Sequence, residues 1–209
     1  MVVVVLVAAG LWLASSPAPK SPFVTTFQKG EFQVVPNACK VLGATELSAL
    51  LKGTAKAVQP QASTAQSQCT YTVDAKPVFR VLSILVTAYP ASLTAPGTGS
   101  ATANATYTFT LLRDGLAKPP KHSAEPPATI TTVPGLGSQA IKAVQIFRTG
   151  LLTDKVIMLI RYRNVLITAS LMGGASGGFG PVTVGELATG AMSAASSVFA
   201  AVKAEPTVG

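Results

Sequence analysis

The spacing of apolar and polar positions changes repeatedly along the chain, and each change marks a boundary. Met1 to Ala14 hold no charged residue, and the run is too short to cross about 30 Å of hydrocarbon, which takes ~20 helical residues. It reads as the apolar region of a signal peptide. No Lys or Arg accompanies Met1 and Val2, so the expectation is either a start placed downstream of the natural one or a signal anchor. Residues 15–36 carry Pro17, Pro19, Pro22 and Pro36 without sustained periodicity and read as a Pro/Ser-rich linker. Residues 37–205 are expected to form a single extracytoplasmic domain.

Within that domain Thr45 is placed to cap a short helix from Glu46 to Lys52, with Leu47, Leu50 and Leu51 on one face and Gly53 closing it. Residues 54–67, rich in Gln, Ser and Ala, read as a loop. Gln68 to Val73 and Val78 to Ala88 have the β-branched and aromatic content of strands, broken at Lys76-Pro77. Ala101 to Leu116 fits two periods. Thr106 to Thr110 alternate as a strand would, but Tyr107, Leu111 and Leu112 make a helical stripe, and helix is the reading preferred.

Four prolines make residues 117–127 an exposed loop. Three strands follow, Ile141 to Arg148, Lys155 to Tyr162 and Val165 to Met172, the last two joined by a tight turn at Arg163-Asn164. Gly173 to Gly180 reads as a flexible exit. Thr183 and Glu186 then have capping-box spacing, ahead of Val184, Leu187, Ala191, Ala195, Val198 and Val202 at helical intervals. The fold expected is α+β: a single antiparallel sheet of about five strands, with a short N-terminal helix and a long C-terminal helix packed on it.

Composition narrows the setting. Charged residues are 11% of the chain, against about 25% in an average protein, so Ser, Thr, Gln and Ala must cover much of the surface. The net charge is nonetheless +8, spread thinly, with Arg161-Tyr162-Arg163 the densest segment. For an exported protein this charge is expected either to give diffuse attraction to an anionic envelope surface, phospholipid headgroups or acidic wall polymer, or to mark simply a basic soluble protein. Nucleic acid is not an expected partner, because no zinc finger, aromatic RNA-binding strand or basic helix accompanies the charge.

Cys39 and Cys69 have neither CxxC nor Cys/His spacing and are expected to form a disulfide rather than a metal site. Closing that loop contributes roughly 3.5 to 4 kcal/mol in the chain-entropy account. Neither cysteine lies in the leader, so no lipobox is present there.

Other motifs carry less. Gly174 to Gly178 match the GxSxG nucleophile elbow, but neither an Asp nor a His follows Ser176, and His122 precedes it. Gly135 to Ala140 match GxGxxA after a short strand, Thr129 to Val133, with Asp154 downstream; a strand rather than a helix is expected next, so a turn needing positive φ is preferred to nucleotide binding. His122 sits alone in the proline loop and offers no metal set. Asp74, Asp114, Glu125 and Asp154 are isolated in sequence, and Asn104 begins a glycosylation sequon. Arg161 and Arg163 share a strand face, and Arg148 ends a neighbouring strand. The three could form a small anion-binding patch, or simply charged strand ends facing water. No catalytic residue, cofactor or metal is expected.

Pro36 to Leu42, Gln68 to Tyr71, Val133 to Ala140 and Arg161 to Val165, in this order, resemble an actinobacterial family of secreted and lipid-anchored envelope proteins of unknown function. The resemblance covers about residues 36–204 and implies an α+β fold similar to PsbP-like envelope modules, with no catalytic residues to carry over. Members of that family often have a lipobox Cys, which this chain does not show. The function expected is a non-catalytic exported or membrane-anchored cell-envelope protein that acts as a binding module. Two alternatives stand beside it. One is a carrier of a lipid or small apolar ligand in a cleft between sheet and C-terminal helix, where Ala188, Ala191 and Ala195 leave room. The other is an exported hydrolase whose acids and serine meet only in the tertiary structure.

Overall fold

In the computed structural model the described residues are 23–24, 27–76, 78–92, 99–148, 153–174 and 182–209. Alternating burial builds the strands. In β3 (Gln66–Ala75) Ser67, Cys69, Tyr71 and Val73 turn inward, and in β4 (Val78–Ala88) Leu82, Ile84, Val86 and Ala88 do the same. β2 (Lys56–Ala62) precedes them, and β6 (Thr129–Thr132), β7 (Gln139–Ile146), β8 (Thr153–Tyr162) and β9 (Val165–Gly174) follow. The sheet has seven strands in the order β2-β3-β4-β9-β8-β7-β6, every pair antiparallel. Two meanders, β2 to β4 and β6 to β9, are thus joined edge to edge through β4 and β9, from Arg80↔Gly173 to Ala88↔Val165.

The sheet has seven strands rather than about five because an unexpected strand, β2, forms one edge and the short strand read at Thr129 to Val133 joins the other as β6. β2 occupies residues read as loop. It pairs on one side only, and its register breaks between Val58 and Gln61, across Pro60, whose missing N–H an edge strand tolerates. β6 has only four residues and leans on β7 alone. A separate two-stranded ladder joins β1 (Phe23–Val24) to β5 (Ala91–Ser92).

Helix α3 (Val184–Ala204) covers one face. Thr183 and Glu186 form a reciprocal capping box at its start. Leu187, Ala191, Ala194, Ala195, Val198 and Val202 lie against Ile84, Met158, Ile160, Ile167 and Leu171, all essentially without solvent exposure. Small residues bring the helix close: a Cβ on Gly190 would lie 2.6 Å from Leu171 Cδ2. By length and composition α3 could cross a membrane, but in this fold its apolar face is the core.

Helix α2 (Ala101–Ala117) crosses the opposite face and buries Ala105 and Phe109 against Ile141, Leu159 and Leu166. The stripe that predicts this helix points the wrong way. Tyr107, Leu111 and Leu112 are 36%, 52% and 43% exposed, because small Ala101 and Ala105 with Phe109 provide the contact side. Ser100 Oγ caps its third residue, and the buried Glu31 carboxylate accepts from Thr102 N at 2.8 Å, where a helix N-terminus favours negative charge.

Helix α1 (Ala44–Leu51) has its N-cap at Gly43, without a side-chain bond, so Thr45 is inside the helix rather than its cap. Lys52, not Gly53, takes the left-handed closing conformation at φ 57. Of this helix only Leu51 is buried.

The domain also begins earlier than Asn37. Phe32 and Val35 belong to the core, Gly30 N donates to Val208 O, and Val208 N donates to Glu31 O. Residues 30–32 are paired with the C-terminal segment and Val35 N donates to Thr64 O, so this stretch is part of the domain instead of a tether. The leader, 1–14, and linker residues 15–22 and 25–26 lie outside the described residues.

Candidate functional site

Cys39 and Cys69 form the expected disulfide. It ties the segment before α1 to β3, and Ala38 N reinforces the tie by donating to Ser67 Oγ at 2.9 Å. The chain then passes through α1 and returns beside β3, where Gly53 lies so close to Val73 that a Cβ would stand 3.0 Å from Val73 Cγ1. These constraints hold α1 near the start of β4 and the first turns of α3.

Between the three elements is a cleft of about 400 Å³. Leu50 of α1 and Lys52 at its C-cap form one wall, Glu186, Thr189 and Ser193 of α3 the other, and Arg80 of β4 reaches in from the sheet. Strand alternation explains the arginine's position: it shares the inward parity of Leu82 and Ile84, so its side chain enters the α3 face. Its cross-strand partner Gly173 leaves it space, since a Cβ there would meet Arg80 Cδ at 3.3 Å and Val182 Cγ1 at 3.1 Å.

The Arg80 side chain is 6% exposed. Nη2 stands 3.9 Å from Glu186 Oε1, and Nε is buried without a hydrogen-bond partner. Burial pushes the guanidinium's pKa down, against the pull of Glu186. The Thr183 backbone N–H holds the Glu186 carboxyl below the usual range, with the charges of Arg80 and Lys52 adding to it. The cleft therefore gathers two cations, one carboxylate and the start of a long helix around an underused donor.

A second recess, about 310 Å³, opens between α2 and the loop of residues 133–138, with Phe109 and Arg113 on its helix side. Gly135 and Gly137 have φ of 77° and 70°, the positive-φ turn read from the sequence. β7, a strand, follows this loop, where the dinucleotide fingerprint requires a helix.

The structure separates the three arginines of the expected patch. Arg161 and Arg163 meet at one end of β8, where Arg161 Nη1 donates to the Arg163 carbonyl at 3.1 Å and its Nε to Gln139 Oε1 at 2.7 Å. The Arg163 guanidinium stacks over the rings of Phe32 and Tyr162, 5.7 and 5.3 Å from their centroids, and donates to Gly30 O. Arg148 stands at the other end of β7, 3.6 Å from Asp154.

His122 is exposed in its loop, and Ser176 lies outside the described residues. Asp114 pairs with Arg113, and Glu125 with Lys155. Among the described residues no three of His, Cys, Asp and Glu gather. The sequon Asn104 is 6% exposed and donates through Nδ2 to Pro90 O at 2.7 Å, so its amide is already committed. Arg80 escaped the sequence reading, although a charge at the inward parity of an apolar strand was a legible signal.

Compared with known proteins, the chain matches no family model, no curated protein and no solved structure.

Proposed function

We propose that this protein is a non-catalytic, exported module of the cell envelope that binds an envelope component or another protein. The observation that carries this reading is the Cys39–Cys69 disulfide, since such bonds persist in oxidising compartments and are rare in reducing ones. The +8 charge supports an anionic envelope surface as its surroundings, and the sequence resemblance to actinobacterial secreted proteins points the same way. The Arg80 cleft supplies a concave surface suited to binding. A lipid-carrying role has less support. Beyond the Arg80 cleft the space between α3 and the sheet is packed with side chains, and the apolar recess lined by Leu112 and Leu116 is about 120 Å³, below the ~300 Å³ at which small-molecule pockets begin.

The test is to express the full chain in a bacterial host, fractionate the cells, and compare the mass of the native protein before and after reduction. An envelope or secreted fraction with a closed disulfide is the expected result. A cytosolic protein with two free thiols would sink the reading. The N-terminus found by mass spectrometry distinguishes a released module from one held at the membrane.

A further inference from the structure

We propose that the Arg80 cleft is a binding site for the carboxylate group of a small organic ligand. The inference rests on the reading of the chain as a binding module and gives that module a ligand chemistry.

The ion pair between Arg80 and Glu186 is incomplete. Charge-assisted contacts of guanidinium with carboxylate normally close to about 2.7–2.9 Å, yet Arg80 Nη2 and Glu186 Oε1 are 3.9 Å apart. Glu186 is held back by its other oxygen, since Oε2 accepts from Thr183 N at 3.1 Å and from Thr183 Oγ1 at 3.3 Å in the capping box. Moving closer to Arg80 would break that cap. The arginine is thus left with a buried Nε that has no partner, an arrangement that costs stability in a protein at rest.

Nε and Nη2 lie on one edge of the guanidinium, and that edge matches the two oxygens of a planar carboxylate. A carboxylate that enters the cleft and displaces the atoms now covering Nε makes the bidentate contact that Glu186 cannot. Arg80 and Lys52 against Glu186 leave one positive charge over, which suits a monoanion. The first turn of α3 adds the favourable end of its dipole. Leu50 gives the remainder of the ligand an apolar wall.

The test is an NMR titration of the exported protein with sodium acetate, inorganic phosphate and sodium chloride at constant ionic strength. It follows the Arg80 Nε–H signal and the amides of Gly185, Thr189 and Gly190. Acetate should shift these signals to saturation, and more tightly than phosphate. Glu186→Gln keeps the capping geometry and removes the competing charge, so it should tighten acetate about threefold, and Lys52→Gln should weaken it by about as much, the size of an exposed charge pair. These two variants keep the test independent of whether an Arg80 variant folds. A linear response equal to that of chloride would mean an adventitious ion only and overturn the proposal, as would tighter binding of phosphate. Either failure leaves the export reading untouched, because fractionation and thiol state decide that separately.

Discussion

The side-chain amide of Asn164 completes both backbone hydrogen bonds of Phe32. Phe32 N donates to Asn164 Oδ1 at 2.7 Å, and Asn164 Nδ2 donates to Phe32 O at 2.8 Å. The same Nδ2 reaches Tyr89 O at 3.1 Å, and Asn164 has no solvent exposure. A residue in a two-residue hairpin turn therefore plays the part of a neighbouring strand for the N-terminal segment. Its neighbour Arg163, held at φ 54, covers the Phe32 ring from outside.

Asn164→Ala should be among the most damaging single changes. It leaves the Phe32 N–H and carbonyl without that partner in a dry site, where each orphaned group costs ~1–3 kcal/mol. A loss of about 3 kcal/mol in urea unfolding is expected, and a loss under about 1 kcal/mol would show that water replaces the amide.

The two positive-φ glycines of the recess loop should respond differently to alanine. A Cβ at Gly137 would lie 2.7 Å from both Arg161 O and Ile160 Cγ2, whereas at Gly135 it meets nothing within 4 Å. Gly135→Ala should cost only the left-handed backbone term, ~1–2 kcal/mol. Gly137→Ala adds a backbone clash and should cost at least ~3 kcal/mol. Thermal melts of the two variants check the difference.

On α2, Phe109→Ala should lose ~3–5 kcal/mol, because the ring is 2% exposed against Ile141, Leu159 and Leu166. Leu111→Glu, on the stripe that the sequence alone would turn inward, should stay within ~0.5 kcal/mol of the parent protein. Equal losses at both positions in denaturant unfolding would contradict the orientation of this helix.

Glu125 links the proline loop to β8 and should contribute a small acid-dependent stability. Its hydrogen bond from Lys155 Nζ, 3.1 Å long, is the main cause of a pKa below the usual value. A folded-state pKa that is depressed adds stability above the unfolded value, ~4.3, and loses it as pH falls through the folded one. Glu125→Gln should therefore be less stable than the parent protein above about pH 5, with the gap closing as pH falls through the depressed folded value. With a carboxylate side chain 49% exposed, the gap should be under ~1 kcal/mol. A gap that persists at low pH in paired acid-unfolding curves would assign the effect to packing.

Much of the secondary structure was legible because it depends on neighbours in sequence. The capping box at Thr183 and Glu186, the apolar stripe of α3, the alternation in β3, β4, β8 and β9, and the tight turn at Arg163-Asn164 all lie within a few residues of themselves. The pairing of Cys39 with Cys69 followed from there being no other cysteine.

The class of fold, the C-terminal helix and the disulfide can be read from the residues before any packing is known, since local period and residue chemistry act over short windows. Tertiary structure alone decided that residues 56–62 form an edge strand, that α2 turns Phe109 and not Leu111 inward, and that Phe32 belongs to the core. It also decided that Arg80 ends buried beside a carboxylate that its own helix cap restrains. Each of these outcomes depends on a partner distant in the chain, supplying a hydrogen-bond ladder, an apolar face or an opposing charge. No local pattern encodes that partner's position, because only the packing of helices on the two faces of the sheet brings it within reach.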